Sequence, residues 1–407
     1  MFEVSTKNAQ FAIFTVCNIA YLPKALVLAE SLQKFKHPKL KIYLFDRKTD
    51  KVDLEQFYSI AQFVWIEDIG YEGLEQLAFK YDITEFSTSL KPWIALDLLK
   101  FSEKVVFLDP DTCLFSSLDR LSELLDEKEI ILTPHYITPE PASDLGMMRF
   151  GSFNLGFFAV RKTPEAIRFL EWWSDRCLES CYFETQFGLS TDQKWVTIAP
   201  CFFPTLYISF DLGYNVAFWN MHERVIDAAE ETGYVVNGKY ALVFFHFSAF
   251  DEKNPQFLSK RPFSTKTKGR KDYMPLVLTY KEALDGYKDK VPNVAYSFDY
   301  MSNGDYISPT FRRAYASVLP ELPVNHDPFD SSGVVARFGS KNYLLRNNGS
   351  YKSTGFGDLK DNRVKLRVIN TGLKLALRIF GPNRMMNFSR LFVFLSSFRM
   401  NRDMWKL

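Results

Sequence analysis

The sequence has few cysteines and no long apolar run, and each shortage limits what the protein can be. Its 407 residues include five cysteines, an odd number without the spacing of a disulfide framework or a zinc site, so we expect reduced thiols. No apolar run reaches the roughly 18 residues that would predict a membrane-spanning helix. The first ten residues lack the basic-then-apolar layout of a signal peptide, and we therefore expect a cytoplasmic location.

Acidic residues are scarce at one end of the chain. Residues 363–407 contain ten Lys or Arg and a single acid, Asp403, which gives a net charge of +9 against −7 for the other 362 residues. A basic balance confined to a tail argues against general nucleic-acid binding. The chain also has no internal repeats.

Short apolar runs alternate along the chain with segments of helical periodicity. Strands are predicted at Phe11–Val16, Leu40–Phe45, Gln62–Ile66, Val105–Leu108, Glu129–Thr133, Phe153–Val160 and Tyr240–Phe245. Helices are predicted from Leu22 and at Tyr71–Tyr81, Leu90–Lys100, Pro164–Glu179 and Lys194–Ile198. This alternation predicts an α/β fold with a mostly parallel central sheet flanked by helices. In such sheets, ligands bind beyond the carboxyl ends of the strands.

Two aspartates follow the buried run Val105–Leu108. Asp109 and Asp111 are one residue apart, and on extended backbone residues i and i+2 point to the same side, so both carboxylates can hold one hard cation. An ordinary strand-to-turn junction, where Asp is common, is the alternative. His246 ends the strand Tyr240–Phe245, and two Asp with one His suit Mn²⁺, because imidazole tolerates Mn²⁺ better than Mg²⁺.

Two other segments place polar residues or glycine beside apolar elements. Asn154 and Gly156 interrupt the strand Phe153–Val160, where glycine predicts either close approach of a ligand or a bulge. Thr191 and Asp192 precede a helix, and service as its N-cap is the structural alternative to a functional role.

The chain resembles the retaining sugar-nucleotide glycosyltransferases of family 8 and their bacterial relatives, which have a GT-A fold, in six motifs and in their order. The likeness covers about residues 10–262. It rests on Phe14–Tyr21, Lys91, Phe107–Asp111, Phe153–Gly156, Thr191–Gln193 and His246–Ser248. The resemblance implies metal-dependent transfer of a sugar from a nucleotide donor, with UDP the expected carrier, to a glycan or lipid-linked glycan acceptor.

The resemblance also implies roles for individual residues. The nucleoside would be held by Thr15, Asn18 and Tyr21. The Mn²⁺ or Mg²⁺ ion would be held by Asp109, Asp111 and His246. Donor phosphate or sugar would be bound by Lys91, Asp109 and Lys260. The transferred sugar would face Asn154, Asp192 and Gln193, and the last two would stabilise a cationic transition state. Ala249 stands where relatives commonly have glycine.

Three other functions remain open from the sequence. An inverting transferase on the same fold would need a carboxylate base, for which Asp144, Asp192 or Asp251 qualify. A nucleotidyltransferase shares the nucleotide and metal chemistry, but no glycine-rich phosphate loop follows Val16. A non-catalytic sugar-binding protein would not require the paired aspartates and His246.

The composition predicts three regions. Residues 1–262 form the catalytic domain, 263–362 a mostly helical accessory region on the acceptor side, and 363–407 a basic tail. A basic stretch between Lys260 and Lys271, which includes Lys266 and Lys268, is either a lid over the diphosphate or a solvated loop.

The tail has a two-sided pattern. At about 100° per residue, four cations (Arg363, Arg367, Lys374 and Arg378) fall within roughly 60° of one another, and apolar residues take the opposite side. A second segment, rich in Phe and Leu, follows Gly381. Such helices suit an anionic membrane surface, which would make the protein peripheral on the inner face of a membrane. A helical pair packed on the core is the alternative.

Overall fold

The computed structural model describes residues 11–229, 233–261, 269–345 and 363–407. The chain divides into two compact units, the first made of Met1–Glu72 and Ile83–Ser297 and the second of Gly73–Asp82 and Phe298–Leu407. The predicted boundary at residue 262 thus lies inside the first unit. Lys266 and Lys268 of the predicted lid lie outside the described residues.

The elements of the described residues are these. The strands are β1 Phe11–Cys17, β2 Leu40–Leu44, β3 Ala61–Trp65, β4 Lys104–Leu108, β5 Thr112–Leu114, β6 Ile130–Pro134, β7 Phe153–Arg161, β8 Leu206–Ile208, β9 Val216–Ala217, β10 Ile226–Ala229, β11 Gly233–Val236, β12 Tyr240–Ala241 and β13 Phe244–His246. The helices are α1 Leu22–Lys34, α2 Leu74–Lys80, α3 Ile83–Ser89, α4 Lys91–Leu98, α5 Asp119–Glu127, α6 Pro141–Phe150, α7 Pro164–Ser180, α8 Thr191–Val196, α9 Met274–Lys288, α10 Pro309–Val318, α11 Val334–Lys341 and α12 Arg363–Leu395.

A central sheet organises the first unit. Its strand order is β3-β2-β1-β4-β7-β6-β8, with parallel neighbours except for β7, which runs antiparallel to β4 and β6. The central strands are apolar on both faces, as expected when helices cover both sides. The rings of Phe14, Phe107 and Phe158 form one cluster, with the Phe107 centroid 5.0 Å from that of Phe14 and 5.3 Å from that of Phe158. The predicted α/β class, with a mostly parallel sheet flanked by helices, is confirmed.

Two smaller sheets divide a segment that the sequence presents as one strand. Tyr240–Phe245 is predicted to be continuous, but β12 pairs in the order β10-β11-β12 and β13 pairs in the order β5-β13-β9. The prediction was wrong because the chain changes partners at Leu242 and Val243, which belong to neither strand. The change leaves β13 antiparallel to β5, with His246 opposite Thr112.

The first unit extends beyond residue 262 because α9 is part of its core. Helix α9 packs on α1, and the Tyr280 ring stacks on Phe247 at 3.9 Å between centroids, with 7° between the ring planes. Burial of several aromatic rings at this contact ties α9 to the sheet end that carries β13.

The second unit is mostly helical in its described residues and is organised by a buried arginine. Arg312, which is 1 % exposed, donates hydrogen bonds to the carbonyls of Ala78, Phe79 and Tyr81, and it also pairs with Asp299. A buried guanidinium needs such acceptors, since an unmatched one would be costly. Arg312 therefore explains why the distant segment Gly73–Asp82 belongs to this unit.

Helix α12 differs from the other helices of the second unit, since none of its residues is buried. Its backbone leaves the helical conformation at Gly381, where φ is 76° and ψ is 164°, so two helical segments meet there. Among the residues that the structure describes, no helix has the length and apolar character needed to cross a membrane.

Candidate metal and donor site

Three predicted ligands meet at the end of strand β4. Asp109 and Asp111 lie in the turn that joins β4 to β5, and the Asp109 carbonyl accepts a hydrogen bond from Thr112 N at 3.1 Å. The pairing of β13 with β5 sets His246 beside that turn, where Phe247 N donates to the Asp111 carbonyl at 2.7 Å. The two carboxylates therefore converge through a turn and an added strand, and not through the strand alternation that the sequence suggests.

The distances are suited to one cation. His246 Nε2 lies 3.0 Å from Asp111 Oδ1 and 3.7 Å from Asp109 Oδ2, and one ligand atom from each residue lies within 4.8 Å of the others. His246 and Asp111 are buried, while the Asp109 side chain is one quarter exposed. An opening on the Asp109 side leaves room for ligands that the protein does not supply.

Asn215 orients His246, and the sequence did not reveal this role. His246 Nδ1 lies 3.3 Å from Asn215 Oδ1, while Asn215 Nδ2 donates to Thr133 Oγ1 and Asn154 Oδ1 at 3.0 Å each. With its amide nitrogen used in this way, Asn215 accepts the Nδ1 proton of His246 and leaves Nε2 as a lone pair facing the carboxylates. Two carboxylates and a neutral imidazole form a donor set for Mn²⁺.

The electrostatics keep Asp111 ionised. Burial opposes its negative charge, but the contact with His246 and the nearby Lys24 lower the pKa of the Asp111 carboxyl to about 2. The residues that surround the site thus fit a divalent cation, which needs anionic oxygen ligands.

Gly156 provides the space for this cluster. A Cβ at this position would lie 2.5 Å from His246 Cε1, 2.7 Å from Asp109 Oδ2 and 2.8 Å from Asn154 Oδ1. The groups that approach this glycine closely are side chains of the protein, and not the bound ligand that the sequence suggests. Any side chain here would displace at least one of them.

Lys91 connects the cluster to Asp192. Its Nζ is 3.2 Å from Asp109 Oδ1, 3.3 Å from Asp192 Oδ2 and 3.1 Å from the Leu155 carbonyl, and it lies 4.3 Å from the centre of the Phe107 ring. Burial disfavours the ammonium ion, but Asp109 and Asp192 outweigh it and raise the pKa of Lys91. Burial, aided by Asp109, raises the pKa of Asp192. One positive charge is thus shared between two carboxylates in a dry environment.

Asp192 is not a helix cap. Helix α8 begins at Thr191, and its N-cap residue is Ser190, which makes no side-chain capping bond. The predicted start at Lys194 is therefore wrong by one turn, and Asp192 lies inside the helix with its carboxylate directed to Lys91 and Thr191 Oγ1. Thr191 has a φ of 50°, a strained value for a β-branched residue that is typical of functional sites.

A cavity of about 690 Å³ opens beside these residues. Polar side chains of Lys91, Asp109, Asn154 and Asp192 line it together with a set of aromatic ones. The aromatic side chains that line it are His135, Tyr136, Phe150, Phe183, Phe218 and Trp219. A volume of this size accommodates a ligand as large as a sugar with part of its carrier.

The other two residues predicted to face the sugar, Asn154 and Gln193, line the cavity and have different partners. Asn154 Oδ1 accepts from Gly156 N at 3.2 Å and from Asn215, so this side chain is held in place beneath the cluster. Gln193 lines the cavity, but its Nε2 donates to the Phe150 carbonyl at 2.9 Å. Gln193 therefore also fixes the end of α6 against α8.

His135 and Trp219 lie against the candidate ligands, and the sequence gave no sign of either. The Trp219 ring meets His246 edge to face at 5.2 Å, and it meets His135 at 5.6 Å. Burial lowers the pKa of His135 to about 4, so this imidazole is neutral at physiological pH. Their aromatic surfaces shield the site from water.

The residues predicted to hold the nucleoside lie within β1 or directly after it, and they differ in how exposed they are. Thr15 is fully buried within β1, whereas Tyr21 is 45 % exposed. Asn18 Oδ1 caps the short turn Ile19–Tyr21 by accepting from Tyr21 N at 3.2 Å. Asp46 braces this loop by accepting from Ile19 N at 2.8 Å and from Ser297. Asn18 and Tyr21 can thus meet a ligand directly, while Thr15 supports them from beneath.

The segment after β13 places Arg261, and not the predicted Lys260, among the residues that line the cavity. Lys260 is exposed and holds the loop through its backbone, donating from N to the Ala249 carbonyl at 2.9 Å. Ala249 has a φ of 52°. The loop therefore keeps the left-handed conformation that glycine would favour, at some cost in strain for alanine.

The two carboxylates suggested as alternative bases outside α8 have structural partners. Asp144 Oδ1 accepts from Tyr136 Oη at 2.9 Å and from Glu140 N at 3.1 Å. Asp251 Oδ1 accepts from Lys253 N and Asn254 N at 3.2 Å each. Among the described residues, the carboxylates that line the cavity are Asp109 and Asp192.

Comparison with known proteins gives only distant likenesses. No family model matches the chain. An uncharacterized protein of Bacillus subtilis, YfnF, is 24 % identical over 250 residues, which are 59 % of this chain and 81 % of that protein.

Two solved structures to which the chain is similar share little of its sequence. Mouse xyloside xylosyltransferase 1 in its apo form is 12 % identical, with 59 % of this chain and 98 % of that chain covered and a TM-score of 0.37. The bifunctional glycosyltransferase WbbM in its apo form is 13 % identical, with 54 % of this chain covered and a TM-score of 0.34. The chain spans only 41 % of WbbM.

Proposed function

We propose that the protein is a metal-dependent glycosyltransferase that moves a sugar from a nucleoside diphosphate donor, UDP-sugar first, to a glycan or lipid-linked glycan. The observation that carries this proposal is the cluster of Asp109, Asp111 and His246 at the carboxyl end of a central strand, beside a cavity of about 690 Å³. This is where an open α/β sheet places nucleotide ligands.

Mn²⁺ or Mg²⁺ held by Asp109, Asp111 and His246 would neutralise charge on the diphosphate leaving group. Lys91 adds a fixed positive charge that is already desolvated, so it stabilises anionic oxygen without the cost of reorganising water. Arg261 at the cavity wall, together with Lys260 on the same loop, supplies cations on the solvent side. In the reaction, the bond from sugar C1 to the diphosphate oxygen breaks, a bond from C1 to an acceptor oxygen forms, and the acceptor hydroxyl passes its proton to the departing diphosphate.

Retention of configuration is the outcome that we propose. An inverting reaction needs a carboxylate base beside the acceptor hydroxyl. Of the carboxylates that line the cavity among the described residues, Asp109 belongs to the candidate metal cluster and Asp192 is paired with Lys91. Asp192, Gln193 and Asn154 then face the sugar. Alanine at Asp192 or Gln193 should lower turnover more than donor affinity, because these groups act on charge that appears in the transition state.

The Phe150–Phe183 ring pair in the cavity lining fits the acceptor. Phe150 and Phe183 are stacked, with ring planes 9° apart and centroids at 6.4 Å, and both remain partly exposed. Such rings present flat surfaces to the C–H faces of sugars, which are apolar. We also propose a cytoplasmic location, where nucleotide sugars and reduced cysteines are both expected.

The test is a panel of nucleotide sugars assayed for Mn²⁺-dependent hydrolysis, followed by transfer with the anomeric configuration of the product read by NMR. We expect one donor to be cleaved, Asp111→Asn to abolish this activity, and the control Asp251→Asn to leave it intact. Cleavage of no donor by folded protein would refute the proposal. An inverted product from the parent, together with loss of activity in Asp251→Asn, would favour the inverting alternative.

A further inference from the structure

Helix α12, Arg363–Leu395, is here called the arm, and its exposure is unusual for a helix so rich in apolar residues. None of its residues is buried, and the side chains of Val368, Ile379 and Phe392 are 67 %, 65 % and 69 % exposed. A water-soluble protein rarely leaves such a continuous apolar surface uncovered unless something binds it.

The charge of the arm is of one sign. Its 33 residues contain seven Lys or Arg and no acid. Before Gly381, four of these cations form the stripe defined by Arg363, Arg367, Lys374 and Arg378, at about the same angle around the helix axis. Beyond Gly381, the apolar residues are mainly Phe, Leu and Met. The arm therefore has a cationic edge along its first segment and a bulky apolar surface along both segments.

The exposure of the arm is not that of a frayed chain end, because the residues that follow it are fixed to the second unit. Trp405 is 6 % exposed and donates from Nε1 to the Phe398 carbonyl at 2.9 Å. Arg402 pairs with Glu321, and the backbone of Lys406 makes two hydrogen bonds with the Asn342 side chain, at 2.7 and 3.0 Å. The protein thus holds the arm at its C-terminal end and leaves its surface open.

We propose that the arm lies along an anionic membrane surface, with its cationic edge at the lipid phosphates and its apolar side chains in the outer part of the bilayer. A basic helix with Phe and Leu on its other side binds such surfaces by insertion of about 5–10 Å together with electrostatic attraction. The break at Gly381, bridged by a Phe380–Phe388 ring contact at 5.6 Å, lets the two segments follow the surface independently. This inference does not depend on the reaction proposed for the first unit.

The charge and the apolar surface of the arm together favour an anionic bilayer over a second copy of the chain and over a nucleic acid. A second copy of the chain would bring seven further cations against the first seven, which repel. A nucleic acid would match the cations but leave the Phe and Leu side chains exposed to water. An anionic bilayer satisfies both surfaces.

The test is sedimentation of the full chain with vesicles of phosphatidylcholine containing about one third phosphatidylglycerol, at low and high salt. We expect binding at low salt that is reduced, but not lost, at high salt. Because each basic side chain at such a surface strengthens binding about fivefold, Arg367→Glu/Lys374→Glu/Arg378→Glu should weaken binding by at least about 100-fold. The matched control is Lys34→Glu/Lys51→Glu/Lys239→Glu, which makes the same charge change at exposed sites of the first unit and should bind nearly as well as the parent.

A second variant separates the apolar contribution. Ile379→Gln/Phe392→Gln should lose the binding that survives at high salt while keeping much of the binding at low salt. Circular dichroism must show that each variant is folded like the parent. The proposal is overturned if the parent fails to sediment at low salt, or if the charge-reversed variant binds as well as its control. It is also overturned if light scattering shows a dimer that Ile379→Gln/Phe392→Gln dissociates while vesicles bind neither protein.

Discussion

Lys91 and Arg378 are both cations, but their surroundings differ completely. The Lys91 side chain is 3 % exposed and lies between Asp109 and Asp192, each within 3.3 Å, so its charge is matched inside the first unit. Arg378 is exposed on a helix of 33 residues that contains no acid. A desolvated charge must be paired within the protein, whereas water stabilises an exposed charge that has no partner there. The paired Lys91 helps to fix the geometry of the candidate metal and donor site. Arg378 is part of a cationic surface that can bind an anionic partner.

The largest effect should come from breaking the matched set. Lys91→Met leaves the buried Asp192 and the partly buried Asp109 without their cation, and we expect the free energy of unfolding to fall by about 3–5 kcal/mol. Urea denaturation measures it. Lys288→Met is the control, since Lys288 and its partner Glu252 are 37 % and 33 % exposed and their pairing should contribute no more than about 1 kcal/mol. Similar losses for the two variants would contradict the difference between buried and exposed charge.

Gly156→Ala should damage the metal site without changing any ligand. The added methyl would overlap His246, Asp109 and Asn154, so Mn²⁺ affinity should fall on the order of 100-fold, the upper limit of what altered ligand support costs. Calorimetric titration with Mn²⁺ is the measurement. Gly146→Ala, where a Cβ meets nothing within 4 Å, should bind as the parent does. Full affinity in the Gly156 variant would mean that these residues do not hold the ion.

Asn215→Ala should have a smaller effect of the same kind. Loss of the contact to His246 Nδ1 frees the imidazole to rotate and change tautomer, and we expect Mn²⁺ affinity to fall about 10-fold. Asn237→Ala is a matched control, because Asn237 has nearly the same φ, 53° against 51°, and is also hydrogen bonded through its side chain. Equal affinities in the two variants would remove Asn215 from the support of the site.

The smallest effect is expected in the arm. Ile379→Gln/Phe392→Gln removes two large apolar side chains that are exposed, so the free energy of unfolding should change by less than about 0.5 kcal/mol. Thermal and urea denaturation of the full chain test this. A loss above about 2 kcal/mol would show that the arm packs on the protein, as the alternative reading of the tail requires.

The sequence was enough to predict which three side chains form the candidate metal cluster, but not which residues support that cluster. Asp109, Asp111 and His246 could be predicted because strand ends and residue types are local properties. The role of Asn215 could not, because it depends on where the short strand β9 lies next to β13. Its only sequence sign is a polar residue directly before a buried apolar pair. Gly156 was marked as a point of close approach, but the approaching group is set by the same tertiary contact.

Errors at element boundaries have a similar origin. The helix that begins at Thr191 was placed one turn late because Thr191 has a positive φ, which propensity does not anticipate. The contacts of the buried Arg312 with the carbonyls of Ala78 and Tyr81, which bring Gly73–Asp82 into the second unit, are long-range ones that a local pattern cannot indicate.

Electron paramagnetic resonance of Mn²⁺, titrated with and without UDP, tests the central claim most directly, because it detects the ion, the site and their coupling to a nucleoside diphosphate in one experiment. We predict one Mn²⁺ per chain, tighter binding in the presence of UDP, and loss of both in Asp111→Asn. Mn²⁺ binding that UDP does not strengthen, or that persists unchanged in folded Asp111→Asn protein, would contradict the assignment of Asp109, Asp111 and His246 as the metal site of a nucleotide-sugar transferase.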